Sequence, residues 1–185
     1  MVLYIKSCPR NDSRTDRLAR ALLSRLGDYE EVDVVNEDIR PLNNDSLAFR
    51  DDCIAKGNYS NPMFKYARQF ASADTIVIAA PFWDMSFPTA LKAYVENIYV
   101  TGLVSRFGED GRPRGMCKAK RLYYVTTAGG PYEPRFSYEY IETLATMNFG
   151  IENTQLIYAD MLDIDTSDAE KIIADKIAEI QAMTF

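Results

Sequence analysis

Five residues separate Cys8 from Arg14 in the stretch Cys8-Pro9-Arg10-Asn11-Asp12-Ser13-Arg14-Thr15, directly after a short apolar run. A Cys-x5-Arg spacing at that place is the phosphate-binding loop of cysteine-dependent phosphatases, in which a thiolate attacks a phosphate cradled by successive backbone N–H groups. The same residues also suit a loop that grips a phosphate without attacking it. Pro9 deletes the donor next to Cys8, and Asp12 sets a carboxylate in a loop meant for a dianion. The small phosphatases with this placement also use an Asp-Pro acid, and no Asp-Pro dipeptide occurs in the chain. An isolated Ser13 would be read as a helix cap. With Ser7 and Thr15 in the same turn and Arg14 beside them, the four residues point to a phosphate cradle, and Cys8 becomes a bystander.

The chain contains no histidine. Serine–histidine and cysteine–histidine mechanisms and imidazole metal ligation are therefore excluded, and no metal site is expected. The chemistry must come from other side chains or from a bound cofactor, and no side chain stands out as an essential catalyst.

Two further segments carry site-like residues. Pro81-Phe82-Trp83-Asp84-Met85-Ser86-Phe87-Pro88 sets three aromatics, including the single tryptophan, directly after an apolar run. Such aromatics often pack in a core; at the carboxyl end of a strand they suit the wall of a planar ligand. Thr127-Ala128-Gly129-Gly130 follows another apolar run, and its glycine pair permits close backbone approach to a ligand edge.

The elements that must position these segments alternate in type. Apolar runs at Val2 to Lys6, Val32 to Val35, Thr75 to Ala80, Leu122 to Thr126 and Gln155 to Tyr158 read as strands. Between them, Leu18, Leu22 and Leu26 repeat at helical spacing after a Ser13/Asp16 capping box and stop at Gly27. Helices are also predicted from Asn61 to Ala73, from Pro88 through Ile98, and through Ile141, Leu144 and Ala145. A last helix buries Ile173, Ile177 and Ile180 and takes its cap from Ser167 and Glu170. Val104 to Lys120, with Glu109-Asp110-Gly111, reads as a hairpin insertion. Five alternations predict an α/β fold, a doubly wound five-stranded parallel sheet with helices on both faces, as one domain over residues 1–185. In such a sheet ligands bind beyond the carboxyl ends of the strands, where the three segments meet.

Composition narrows the partners. The net charge of −6 leaves no basic face for nucleic acid, and no apolar run is long enough to span a membrane. Three cysteines without a CxxC pair suit a reducing, cytoplasmic setting.

Taken in order, Lys6-Ser7 with Ser13-Arg14-Thr15, then Pro81 to Met85, then Thr127 to Gly130 resemble the three flavin-contacting segments of the FMN-dependent NAD(P)H:quinone oxidoreductases and azoreductases. Pro88-x-x-Leu91-Lys92, Phe107 to Gly111 and Phe149-Gly150-Ile151 extend the resemblance over nearly the whole chain. The resemblance implies a flavodoxin-like fold and a homodimer binding FMN near its interface. Ser7, Ser13, Arg14 and Thr15 would hold the phosphate. Pro81, Phe82, Trp83, Asp84 and Met85 would line the isoalloxazine, and Thr127, Ala128, Gly129 and Gly130 would cover its pyrimidine side. It further implies ping-pong two-electron reduction of quinones, azo compounds or nitroaromatics by NADH or NADPH, with hydride passing through flavin N5. Two departures bear on potential and substrate preference: Asp84 stands where relatives often carry Asn, and Thr127-Ala128 replaces a Ser-Arg pair of some members. The rival readings are a flavin-binding electron carrier without a substrate of its own and a module that has lost its ligand.

Overall fold

The computed structural model describes Met1–Phe185. Strand β1 (Val2–Lys6) leads into helix α1 (Arg14–Leu26), then β2 (Tyr29–Asp33) and α2 (Asn44–Ala55). Helix α3 (Lys65–Ser72) is entered through a 3-10 turn at Pro62–Phe64 and is followed by β3 (Thr75–Ala79) and α4 (Thr89–Ile98). A hairpin of β4 (Ser105–Phe107) and β5 (Pro113–Gly115) precedes β6 (Arg121–Thr127). Helix α5 (Tyr138–Thr143) continues into a π-helical turn at Leu144–Phe149, and β7 (Asn153–Ala159) and α6 (Ala169–Ala182) complete the chain.

The sheet order is β2-β1-β3-β6-β7 with every pair parallel. The three central strands are apolar on both faces because helices cover both: Leu3 and Ile5 pack with α3 and α4 on one side, Val2 and Tyr4 with α1 and α6 on the other. Helix α1 lays Leu18, Leu22 and Leu23 into that second layer at 0–1% exposure. Each such burial contributes roughly 1.5–3 kcal/mol, enough to fix the helix, and the loop before it, against the sheet.

Several boundaries differ from the sequence expectation. Strand β2 runs Tyr29–Asp33 rather than through the valines to Val35, because it is an edge strand in which only Val32 is buried; Val34 then donates to the Lys6 carbonyl just beyond it. Ser13 does cap α1, accepting from the Asp16 N–H, yet the Asp16 carboxylate turns to the Tyr4 hydroxyl and Arg20 instead of completing a box. Asp168, not Ser167, caps α6. Of its three predicted core residues Ile173 and Ile180 are buried and Ile177 is half-exposed. Helix α2 carries no apolar periodicity and buries Cys53 alone, so it escapes a reading based on spacing; its box is Asn43 with Ser46.

The hairpin forms as expected and is braced from behind. Met116 donates to the Val104 carbonyl and Cys117 to that of Phe149, while Gly115 lies flat against the Phe149–Gly150 backbone. Two segments that carried the family resemblance, the hairpin and Phe149-Gly150, are thus one packed unit.

Candidate functional site

Sheet order reverses between β1 and β3, and the loops that leave their carboxyl ends diverge to opposite faces. A cleft of about 570 Å³ opens there. Its walls include Ser13, Arg14, Thr15, Pro81, Phe82, Trp83, Asp84, Thr127, Ala128 and Gly129, ten residues singled out from the sequence. The other three stand outside the lining. Ser7 is fully buried at the end of β1, Met85 projects outward at 53% exposure, and Gly130 lies beside Gly129 with open space over its α-carbon.

Thr127 clasps the three loops. Its hydroxyl lies 2.6 Å from that of Thr15, its carbonyl accepts from the Phe82 N–H at 2.9 Å, and both threonine side chains are buried. A fourth loop, after β7, was not anticipated. Leu162 and Asp163 line the cleft, and Met161, Leu162 and Asp163 donate backbone N–H groups to Gly130, Ala128 and Gly129. Asp163 then reaches across to Arg14, with Nη1 to Oδ1 at 2.8 Å, an ion pair joining positions 149 apart in sequence. A side chain at Gly129 would collide with that carboxylate, so the glycine makes room for the pair. The signal for this loop lay in the carboxyl-end rule itself, since β7 ends at the same sheet edge as the others. Pro9, Arg10 and Asp12 also line the cleft.

Backbone donors without acceptors lie at two places around this space. The N–H groups of Ser13, Arg14 and Thr15 have no acceptor in the protein, as expected for the first turn of a helix; there the aligned dipoles also favour an anion. Ser7 Oγ, buried at the base of the same loop, is likewise without a partner. The second place is the turn Trp83–Ser86, in which these two residues exchange backbone hydrogen bonds of 2.9 and 2.8 Å. Asp84 (φ 49°) and Met85 (φ 66°) both sit in the left-handed region, the geometry of a two-residue primed hairpin that normally selects Gly or Asn. Holding two non-glycine residues there costs on the order of 1–3 kcal/mol each. The Asp84 and Met85 N–H groups are left without acceptors.

The aromatics divide their duties. Phe82 stacks edge-on to Tyr132 (5.1 Å), which continues to Tyr158 (5.2 Å), so it is anchored in the wall. Trp83 remains 40% exposed, with the Arg10 guanidinium 6.0 Å over its ring.

Cys8 is buried, its thiol points to the Ala79 carbonyl at 3.6 Å, and burial pushes its pKa up to about 11. At neutral pH it is a protonated thiol, the opposite of what a phosphatase nucleophile requires. All three cysteines are free and buried, and no helix is long and apolar enough to cross a membrane.

Comparison with known proteins agrees with this geometry. Residues 1–183 match the family model described as "Flavodoxin-like fold". An FMN-dependent NADH:quinone oxidoreductase of Coprothermobacter proteolyticus is 33% identical, over 98% of this chain and 96% of its own. FMN-dependent NADH:quinone oxidoreductase 2 of Clostridium acetobutylicum is 34% identical over 100% and 98%. The crystal structure of an FMN-dependent NADH-azoreductase from Bacillus anthracis in complex with FMN superposes with a TM-score of 0.82, at 20% identity over 98% and 95%, which speaks to the fold. With its sheet order, its four-loop cleft and relatives matched from end to end, the chain belongs to the flavodoxin-like family of FMN-dependent NADH:quinone oxidoreductases.

Proposed function

We propose that this protein is an FMN-dependent NAD(P)H oxidoreductase that reduces quinones or azo and nitroaromatic compounds by two electrons, in a ping-pong scheme. The observation that carries this reading is a set of unengaged backbone donors at two loops of one cleft: the α1 N-terminus at one end and the strained turn at Asp84–Met85 at the other. The first set suits a phosphate and the second suits the carbonyl and nitrogen edge of a planar ring. FMN fits both, and when bound it supplies the hydride-accepting and hydride-donating chemistry that the side chains of a histidine-free chain lack.

The chain's own residues then have positional tasks. Ser7, Ser13, Arg14 and Thr15 hold the phosphate end, with the helix dipole adding to the Arg14 charge. Pro81, Phe82, Trp83, Asp84 and Met85 form one wall for the ring, Met85 through its backbone N–H. Thr127, Ala128, Gly129 and Gly130 cover the pyrimidine side, and the Thr15–Thr127 hydroxyl contact fixes the spacing between phosphate and ring ends. Nicotinamide and acceptor take turns on the open face beside Trp83.

The hairpin supports a homodimer. Phe107 and Met116, 60% and 43% exposed, flank a shallow depression on it, the kind of apolar surface a second copy would cover. The chain would act as a single flavin-binding unit in the cytoplasm, on small aromatic acceptors rather than nucleic acid or membrane.

Anaerobic half-reactions test the scheme. NADH or NADPH without an acceptor is expected to bleach the visible flavin band of the holoprotein fully, and benzoquinone added after removal of the nucleotide is expected to restore it. A band that bleaches only when both substrates are present would contradict the ping-pong order. One that bleaches with dithionite but with neither nucleotide would indicate an electron carrier.

A further inference from the structure

The charges around the cleft are unevenly matched. Five charged side chains line it: Arg10 and Arg14 against Asp12, Asp84 and Asp163. Arg14 is held by Asp163 and belongs to the α1 end, where the phosphate cradle lies. Arg10 forms no ion pair and no side-chain hydrogen bond; its one partner is the face of Trp83. It is therefore the one cation of the cleft without an ion-pair partner, beside Asp12 and Asp84, which have none either. It also spans the site, starting in the β1–α1 loop and ending over the ring wall of the β3–α4 loop.

At 6.0 Å over the indole the guanidinium is at the outer reach of a cation–π contact, which leaves its N–H fork free for bidentate contact with a phosphate group. We propose that Arg10, positioned by Trp83, is the residue that recognises the diphosphate of the nicotinamide dinucleotide donor. This rests on the reductase reading above and adds to it the group that distinguishes an anionic donor from a neutral quinone. Arg10 holds the donor and does not touch the reacting atoms; it is a specificity residue rather than a catalytic one. A lysine there would keep the charge but lose the bidentate fork.

Arg10→Gln in the FMN-loaded protein tests this, the site being exposed loop where folding is not at stake. The half-saturation concentration of NADH for flavin reduction is expected to rise about five- to tenfold, with the limiting rate unchanged. The salt dependence of NADH reduction should flatten, and the half-saturation for benzoquinone should stay as in the wild type. Because Trp83 is the only tryptophan, its emission provides a binding readout without turnover: NAD+ should change it with an affinity weakened by the same factor, and Arg10→Lys should recover only part of the loss. Apoprotein titration with FMN should give the wild-type dissociation constant. A weakened FMN constant with unaltered NADH half-saturation would assign Arg10 to the cofactor and overturn the proposal, as would no change in either. Wild-type holoprotein that neither nucleotide reduces would instead sink the reductase reading itself.

Discussion

Arg14→Glu is expected to weaken FMN binding about 100-fold (~2.7 kcal/mol) while leaving riboflavin, which lacks the phosphate, at its wild-type affinity. The size follows from three terms. Removing a guanidinium from a charge-assisted contact loses roughly 1.5–3 kcal/mol, reduced here because the Arg14 side chain is 37% exposed. The introduced carboxylate then faces Asp163 across the cleft and repels the dianion as well. Against these, the free Ser13, Arg14 and Thr15 N–H groups and the helix dipole persist, which keeps the loss from being total. Fluorescence titration of apoprotein with both flavins measures it. Equal losses for FMN and riboflavin would mean that the substitution has disturbed the ring pocket rather than a phosphate site.

The second large effect concerns the hairpin. Gly115→Ala is expected to destabilise the protein by about 3 kcal/mol, a fall of roughly 6–12 °C in Tm for a chain of this size. A β-carbon at Gly115 would run into the backbone of Phe149 and Gly150, and backbone cannot swing aside as a side chain does. The turn there is itself constrained, with Gly150 at φ 77° ending the π-helical segment and Ile151 donating back to Ala145. Gly130→Ala is the matched control, because an added β-carbon there meets nothing within 4 Å; its Tm should stay near that of the wild type. Thermal denaturation of the two variants side by side decides the matter, and a Gly115→Ala protein melting with the wild type would contradict the packing described.

Where the sequence could be read, burial was the reason. Strands β1, β3 and β6 are covered on both faces and so appear as unbroken apolar runs, and the leucine stripe of α1 has one face to bury. Edge strand β2 buries only Val32, so its valines mark the strand but not its bounds, and helix α2 buries only Cys53, which leaves no pattern to read. The site divides in the same way. Loops 7–15, 81–88 and 127–132 were legible because each follows a recognisable strand, and the carboxyl-end rule brings them together. The Arg14–Asp163 pair was not, since Asp163 sits in an acidic stretch with nothing to mark it and its partner lies 149 residues away. Nor does any residue type announce the primed turn at Asp84–Met85: neither is glycine, and the backbone accepts the strain. Arg10 carries no motif of its own; only the fold brings it over Trp83, 73 positions along the chain.

A crystal structure of the protein with FMN bound tests the central claim most directly. The account places the phosphate within hydrogen-bonding distance of the Ser13, Arg14 and Thr15 N–H groups and the ring edge against the Asp84–Met85 turn. An FMN whose phosphate lies away from the α1 N-terminus, or whose ring stacks outside the wall formed by Phe82, Trp83 and Thr127 to Gly130, would contradict it.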